Sequence, residues 1–569
     1  MDLFKKKLTE KMRIVDAAAG RIEPDLVLKA ASYFNVFTNE IKTADIAVKD
    51  GIIAGLGSYS CKEEIDCTGM IVLPGFLDSH IHLESSLVAP SEFVRAVLPH
   101  GTTTVITDPH EIANVMGTAG IEYMLQATEG LPVDVHFMLP SCVPATPLDE
   151  AGAILERADL DPFYEHPRVC GLAEVMNYVG VAAADETVLS KLTSAELARQ
   201  QIDGHAPDLD MDSLNAYAAA GVRSDHECHD LQDALSKLER GQHIMIREGT
   251  AARNLDALAP LICEKYAARC MFCSDDKHPS DLLEKGHIDY IIKRAINLGA
   301  DPLIAVKIAT LHAAQYFNLR DRGAIAPGYL ADFVLIDNFS DFNIKKVFKR
   351  GQLLAEDGVI ADYPLPEVDR DLTAAAHNTV HLNQVTAADF KISGSSAIIG
   401  MVNGEITTTD AGRALHPDPA NDILCTAVLE RHKNTGHIGL GLLKGYGLRS
   451  GAVATSISHD SHNIIVVGAT EQACADAVNH LVGMNGGIVV WNDGKAIADV
   501  PLAIAGIMSD EPLETVNEKL ENAKAAAYSL GVNPGIDPFM TLSFMALPVI
   551  PTLRLTTKGM FDVTRWQYI

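Results

Sequence analysis

Two histidines one residue apart, His80-Ile81-His82, close the apolar run Ile71-Val-Leu-Pro-Gly-Phe-Leu-Asp-Ser. On a strand, residues i and i+2 face the same way. The pair would therefore present two imidazoles together, with Ile81 turned into packing. Two neutral imidazoles from one rigid strand end grip a transition metal from two sides. Such a grip needs further donors, and four more strand-like runs end in one. Val169-Cys-Gly-Leu-Ala leads to Glu174, Ile202-Asp-Gly to His205, Val222-Arg-Ser-Asp to His226, and Met271-Phe-Cys-Ser to Asp275. From His82 onward the gaps are 92, 31, 21 and 49 residues, each enough for one or more strand–helix units. Six nitrogen and oxygen ligands in this order suit two divalent ions bridged by Glu174.

Other polar residues follow the same strand ends. Glu84, Asp108 and His110 come just after barrel-type strands and would line a mouth above the metals. In the last third of the chain, His437 and the segment Ser458-His459-Asp460-Ser461-His462-Asn463 hold more potential ligands. His437, His459, Asp460 and His462 would serve a further metal or close the mouth from above.

The elements that must position these residues can be read from the apolar pattern. Residues 1–70 contain short strands with a hairpin signal at Lys49-Asp50-Gly51. Over 71–320, apolar strands such as Thr103-Val-Ile-Thr, Val135-His-Phe-Met-Leu and His243-Ile-Met-Ile alternate with helix-like segments. Those helical stretches run over 189–201, 213–220, 231–240 and 288–298. This alternation predicts a parallel (β/α)8 barrel, whose chemistry sits at the C-terminal ends of the strands. Turn-and-strand texture returns over 321–362 and predicts strands that rejoin those of 1–70. Residues 361–385, polar and holding Pro364 and Pro366, read as a linker. A third region, 386–569, mixes strands with helices over 471–482 and 513–530, and has a hairpin at Asn492-Asp493-Gly494. The expected class is α/β: a barrel, a small β-sandwich domain from both flanks, and an α+β C-terminal domain.

Composition narrows the partners. The chain has 569 residues, 47% of them hydrophobic and 21% charged, which describes a globular protein of several domains. Its net charge of −29 argues against a nucleic-acid backbone as partner. No apolar h-region follows the lysines of the first 13 residues, and no apolar run approaches the length of a membrane span. Ten scattered cysteines do not form a disulfide framework. The one C-x-x-C, Cys270 to Cys273, reads as part of a strand core. The expectation is a cytoplasmic protein, homo-oligomeric as is common at this size.

The motif Pro74-Gly-Phe-Leu-Asp-Ser-His-Ile-His82, paired with Gly323-Ala-Ile-Ala-Pro-Gly-Tyr-Leu-Ala-Asp-Phe-Val-Leu-Ile-Asp337, resembles the amidohydrolase superfamily over the first 360 residues. Leu83-Glu-Ser-Ser86, Thr107-Asp-Pro-His-Glu111, Gly171-Leu-Ala-Glu-Val-Met-Asn177, Gly204-His-Ala-Pro207, Cys273-Ser-Asp-Asp276 and Ser458-His-Asp-Ser-His-Asn463 sharpen this. Together they resemble the bacterial adenine deaminase family along essentially the whole chain. Many binuclear superfamily members bridge their metals with a carboxylated lysine, and Glu174 stands at that position here. The resemblance implies a binuclear site with manganese or iron ahead of zinc. It implies attack of a metal-bridged hydroxide on C6 of adenine, giving hypoxanthine and ammonia in purine salvage. Asp275 would move protons as general base and then acid, Glu174 would protonate ring N1, and His226 would hydrogen-bond near the tetrahedral centre. Asn177, Tyr178 and Asp276 would meet the purine. The rival within enzymes is a hydantoinase-like or dihydropyrimidinase-like cyclic amidohydrolase. A non-catalytic barrel is a more distant alternative.

Overall fold

The computed structural model describes every residue except 1, 251, 404 and 406. Its centre is a ring of parallel strands: β1 (Phe76–Ile81), β2 (Thr102–Thr107), β3 (Asp134–Pro140), β4 (Val169–Val175), β5 (Gln201–Gly204), β6 (Ser224–Asp225), β7 (His243–Arg247) and β8 (Cys270–Cys273). β1 to β5 form one hydrogen-bonded sheet and β6 to β8 another. Two backbone bonds close the seams. Arg223 N donates to Ile202 O at 2.9 Å, and Asp275 N to His80 O at 3.0 Å. The second seam sets two candidate ligands side by side. Asp275 sits there at φ +58°, a left-handed conformation tolerated best by Gly, Asn and Asp.

The strands are buried on both faces, as a parallel sheet under helices requires. That is why β2, β4 and β8 read as continuous apolar or Thr-rich runs rather than alternating ones. The helices expected over 189–201, 213–220, 231–240 and 288–298 are Glu186–Leu197, Met211–Ala219, Leu231–Glu239 and Ile288–Asn297. Asp185, Asp210 and Asp230 cap the first three by accepting first-turn amides, which fixes where each helix begins.

Strands from both flanks of the barrel meet in one nine-stranded sheet. Phe333–Ile336 pairs antiparallel with Ile71–Pro74, which continues directly into β1. Leu28, Ile46, Ile53, Phe333 and Phe348 share one core, so the sheet curls around it. The stretch 361–385 is anchored rather than a free linker. Tyr363 OH donates to Ser91 O at 2.8 Å, and helix Arg370–Ala376 buries Ala376. A helix the sequence reading did not anticipate, Leu3–Ala18, lies on the surface with only Ala17 buried.

The C-terminal region is built on an eight-stranded, mostly antiparallel sheet. Helix Glu471–Gly483 packs against one part of its core and helix Leu513–Ser529 against another. Ser509 exchanges backbone bonds of 2.8 Å with Leu87 and Ala89, docking this domain beside the loop after β1. The segment Ser458–Asn463 joins strands Ala452–Thr455 and Ile464–Gly468 and faces the barrel.

Candidate active site

His80 and His82 leave the end of β1 with ring centroids 4.8 Å apart and perpendicular planes. His82 Nδ1 lies 3.0 Å from the Asp108 carbonyl, which holds the proton on Nδ1 and turns Nε2 inward as a free electron pair. That Nε2 stands 3.3 Å from Asp275 Oδ1 and 3.5 Å from Glu174 Oε1. His80 Nε2 lies 3.4 Å from the same Asp275 oxygen, buried and with no hydrogen-bond partner.

Glu174 ends β4 and is buried at 3% exposure. Its Oε2 is 2.8 Å from both His205 Nδ1 and His226 Nε2. Its backbone N–H donates to Asp108 Oδ2 at 3.0 Å, so the loop after β2 fixes the carboxylate's place. His205 follows Gly204, where a Cβ would lie 2.5 Å from Ser224 O, so only glycine lets β5 and β6 approach. Tyr217 OH accepts from His205 N at 3.0 Å and donates to Val175 O at 2.6 Å, tying the β5 end to the β4 end. Asp225 accepts from Ala206 N at 2.8 Å and Glu227 N at 3.0 Å, so one carboxylate orders the loops carrying His205 and His226. Lys237, fully buried, supplies its counter-charge at 2.9 Å.

Three residues the sequence reading gave no role complete the surroundings. Arg247, at the end of β7, donates to Asp275 Oδ2 at 2.8 Å and to Glu227 Oε2 at 3.0 Å. Glu227 Oε1 lies 3.6 Å from His205 Nδ1 and 3.5 Å from His226 Nε2. Glu111 follows His110 and faces the C-terminal domain. The one sequence signal for Arg247 is a charged residue closing an apolar barrel strand.

Electrostatically the cluster is rich in carboxylate. Burial opposes protonation of His205, yet Glu227 and Glu174 raise its pKa to about 9. Burial would raise the Glu174 carboxyl, but His205 and His226 hold it well below the usual range. Asp275 is likewise held well below that range, against burial, by Arg247 and the flanking histidines. Such a potential draws cations. Donor atoms of His80, His82 and Asp275 lie within 4.8 Å of one another, as do those of His80, Glu174 and His226. Buried imidazole nitrogens without partners, among carboxylates at near-ligand spacing, fit divalent metal ions.

The other sequence candidates divide. Asp108 and His110 join this cluster: His110 Nδ1 lies 3.2 Å from Asp108 Oδ2 and 3.8 Å from Glu174 Oε1. Glu84 is buried behind it, accepting from Ile112 N at 3.2 Å. Burial and the neighbouring Glu111 push its carboxyl up to about 8. Asp276 accepts from Ser85 Oγ and lines a narrow cleft between barrel and C-terminal domain. His459 lines that cleft too, with Phe544 stacked on its ring at 4.5 Å. Asp460 and His462 are buried next to it. His437 lies elsewhere, exposed and paired with Glu150 at 2.7 Å. Asn177 Oδ1 caps the short helix Tyr178–Ala182 by accepting from Gly180 N, and Tyr178 packs partly buried against the main core. Neither lines the cleft.

Comparison with known proteins agrees with this architecture. Residues 71–354 match the model of the amidohydrolase family, and 402–567 that of the adenine deaminase C-terminal domain. The adenine deaminase of Desulfatibacillum aliphaticivorans is 47% identical over 98% of this chain and 99% of its own length. That of Bacillus subtilis (strain 168) is 42% identical over 98% of both. Among solved structures, D-aminoacylase aligns with 60% of this chain and 98% of its own at a TM-score of 0.46 and 18% identity. The full-length match, together with a barrel and a C-terminal domain that each fit their own family model, makes this chain a member of the adenine deaminase family within the amidohydrolase superfamily.

Proposed function

We propose that this protein hydrolyses adenine at C6 to hypoxanthine and ammonia. The observation that carries the reading is the convergence of His80, His82, Glu174, His205, His226 and Asp275 at the C-terminal rim of the barrel, one residue along the chain from Asp276, which lines a cleft shared with the adenine deaminase C-terminal domain. These six residues would hold two divalent ions, manganese or iron, which supply Lewis acidity and lower the pKa of the attacking water.

The chain's own groups move the protons. Asp275 has one oxygen fixed by Arg247 and the other facing His80 and His82. A carboxylate anchored on one edge is oriented to accept from the other. The attacking water brings two protons. Glu174, whose Oε1 edge is turned toward His82, passes one to ring N1 as C6 becomes tetrahedral. Asp275 takes the second from the new hydroxyl and delivers it to the departing nitrogen. The C6–N bond breaks, ammonia leaves, and C6 keeps the water's oxygen as the carbonyl. His226, 2.8 Å from Glu174, is the hydrogen-bond partner of the tetrahedral centre. Ser85 and Asp276 offer the purine edge polar groups from the cleft wall.

The test is ammonia release from adenine by manganese- or iron-loaded protein, beside adenosine, guanine, cytosine and a hydantoin. Turnover of free adenine alone is the expected result. Turnover of the hydantoin without adenine would replace the substrate and keep the barrel chemistry. Adenine salvage in the cytoplasm is the physiological setting this reading gives.

A further inference from the structure

The segment Ser458–Asn463 does not reach the six-residue cluster. Its two histidines face Glu111, on the helix His110–Met116 that follows β2. His459 Nδ1 lies 3.6 Å from Glu111 Oε1, and His462 Nε2 lies 3.9 Å from Glu111 Oε2. A donor atom from each of the three stands within 4.8 Å of the others. These separations are too long for hydrogen bonds. They match donors arranged around an ion, since ligands each about 2.1 Å from a common centre stand roughly 3–4 Å apart in a tetrahedral shell.

Two further observations point to a ligand. His462 is fully buried, and its Nε2, aimed at Glu111, has no hydrogen-bond partner. An unpaired buried polar group of this kind is unfavourable unless something satisfies it. Asp460 Oδ2 is a second buried polar atom without a partner.

We propose that Glu111, His459 and His462 form a metal site separate from the six-residue cluster, taking one divalent ion of the zinc, manganese or iron class. Two imidazoles and one carboxylate are the donor set for such ions. Glu111 belongs to the barrel and both histidines to the C-terminal domain, so the ion would clip the two domains together. It would do so at the wall of the cleft, where Ser85 Oγ donates to Glu111 Oε1 at 3.3 Å and also to Asp276. Ligation at His462 Nε2 places the ring proton on Nδ1. That nitrogen would give up its long 3.4 Å contact from Ser458 N. The competing arrangement is a dry ion pair between Glu111 and a protonated His459.

Metal content of the full-length protein, reconstituted with zinc and freed of loose ions, separates the two. Glu111→Gln and His462→Gln should each carry one equivalent fewer than wild type, whatever the wild-type total. Unchanged content in both variants would overturn the site in favour of the ion pair. Should the variants fail to fold, anomalous diffraction from zinc-soaked wild-type crystals decides. A peak among Glu111, His459 and His462 supports the site whether or not the six-residue cluster is filled, and its absence refutes it. Neither readout depends on adenine turnover, so failure here leaves the proposed reaction standing.

Discussion

Arg247 Nη1 lies 2.8 Å from Asp275 Oδ2, while Asp275 Oδ1 is turned toward His80 and His82. One carboxylate thus has a fixed edge and a working edge. The same guanidinium holds Glu227, which stands between it and the two histidines flanking Glu174. Replacing Arg247 with Met would leave Asp275 and Glu227 as two buried acids without their cation. The expected result is a loss of about 100-fold in kcat, with adenine KM changed far less, because orientation of the proton-transfer group is what is lost. Steady-state kinetics on metal-loaded protein measures the split. A pure KM effect would assign Arg247 to substrate binding instead.

Asp275→Asn preserves shape and removes the basic oxygen. Turnover of adenine should fall by about 10²–10⁴-fold, the range general acid–base catalysis supplies. Folding should be retained, since Asp275 N still donates to His80 O at the barrel seam. Circular dichroism beside the ammonia assay checks both halves. Wild-type activity in this variant would remove Asp275 from the proton path.

Much of this site was readable because barrel chemistry gathers at strand ends. Five apolar runs ending in His, Glu or Asp are visible without coordinates, and the strands β1, β4, β5, β6 and β8 stop where those residues stand. The helices after β4 to β6 were visible as helix-like stretches between those strands, though the first two begin earlier than expected, at Glu186 and Met211, where Asp185 and Asp210 cap them. What escaped is non-local. Arg247 closes a strand like any terminal polar residue, and only its reach to Asp275 across the rim makes it part of the site. Glu111 and His459 lie in different domains, and their 3.6 Å approach depends on how Ser509 docks beside Leu87. His437 failed as a candidate for the converse reason: residue type suited a ligand, but it stands exposed just before strand Ile438–Lys444, paired with Glu150. Helix Leu3–Ala18 carries an apolar stripe of Phe4, Leu8, Met12 and Val15, which the sequence reading passed over and which lies exposed rather than against a core.

The buried Lys237–Asp225 pair should matter more for stability than any surface ion pair. Lys237 Nζ donates to Asp225 Oδ2 at 2.9 Å, Asp233 Oδ2 at 2.8 Å and Ala206 O at 2.7 Å. Lys237→Met would leave Asp225 fully buried without its cation, at a cost of about 3–5 kcal/mol. Because Asp225 also accepts the Ala206 and Glu227 amides, loosening it should disturb His205 and His226 together. Thermal unfolding and metal content should both fall in Lys237→Met. A drop in stability with metal content intact would confine the pair to a purely structural role.

At the opposite end of the barrel, Asp134 opens β3 against three cations. Lys349 Nζ lies at 2.7 Å, Arg322 Nη1 at 2.8 Å and Arg350 Nη2 at 3.0 Å. Lys349 and Arg350 come from the strand and turn of the flanking sheet, so this cluster pins that sheet to the barrel floor. Burial alone would raise the Asp134 carboxyl, but Lys349, Arg322 and Arg350 hold it well below its usual 3.8. A carboxyl whose folded pKa is depressed binds its proton more readily in the unfolded chain. Its contribution is therefore complete above the unfolded value and fades as pH falls toward the folded one. The wild type should lose stability progressively below about pH 5. Asp134→Asn should be less stable at pH 7 by about 2 kcal/mol, below the range for a fully buried pair because the side chain is 18% exposed. It should also lose less on going from pH 6 to pH 3, below the unfolded value, since it no longer has that proton to take up. Urea unfolding at the two pH values measures both differences. Parallel losses in the two proteins would mean that Asp134 does not govern acid sensitivity, and that the carboxylates at the opposite rim do.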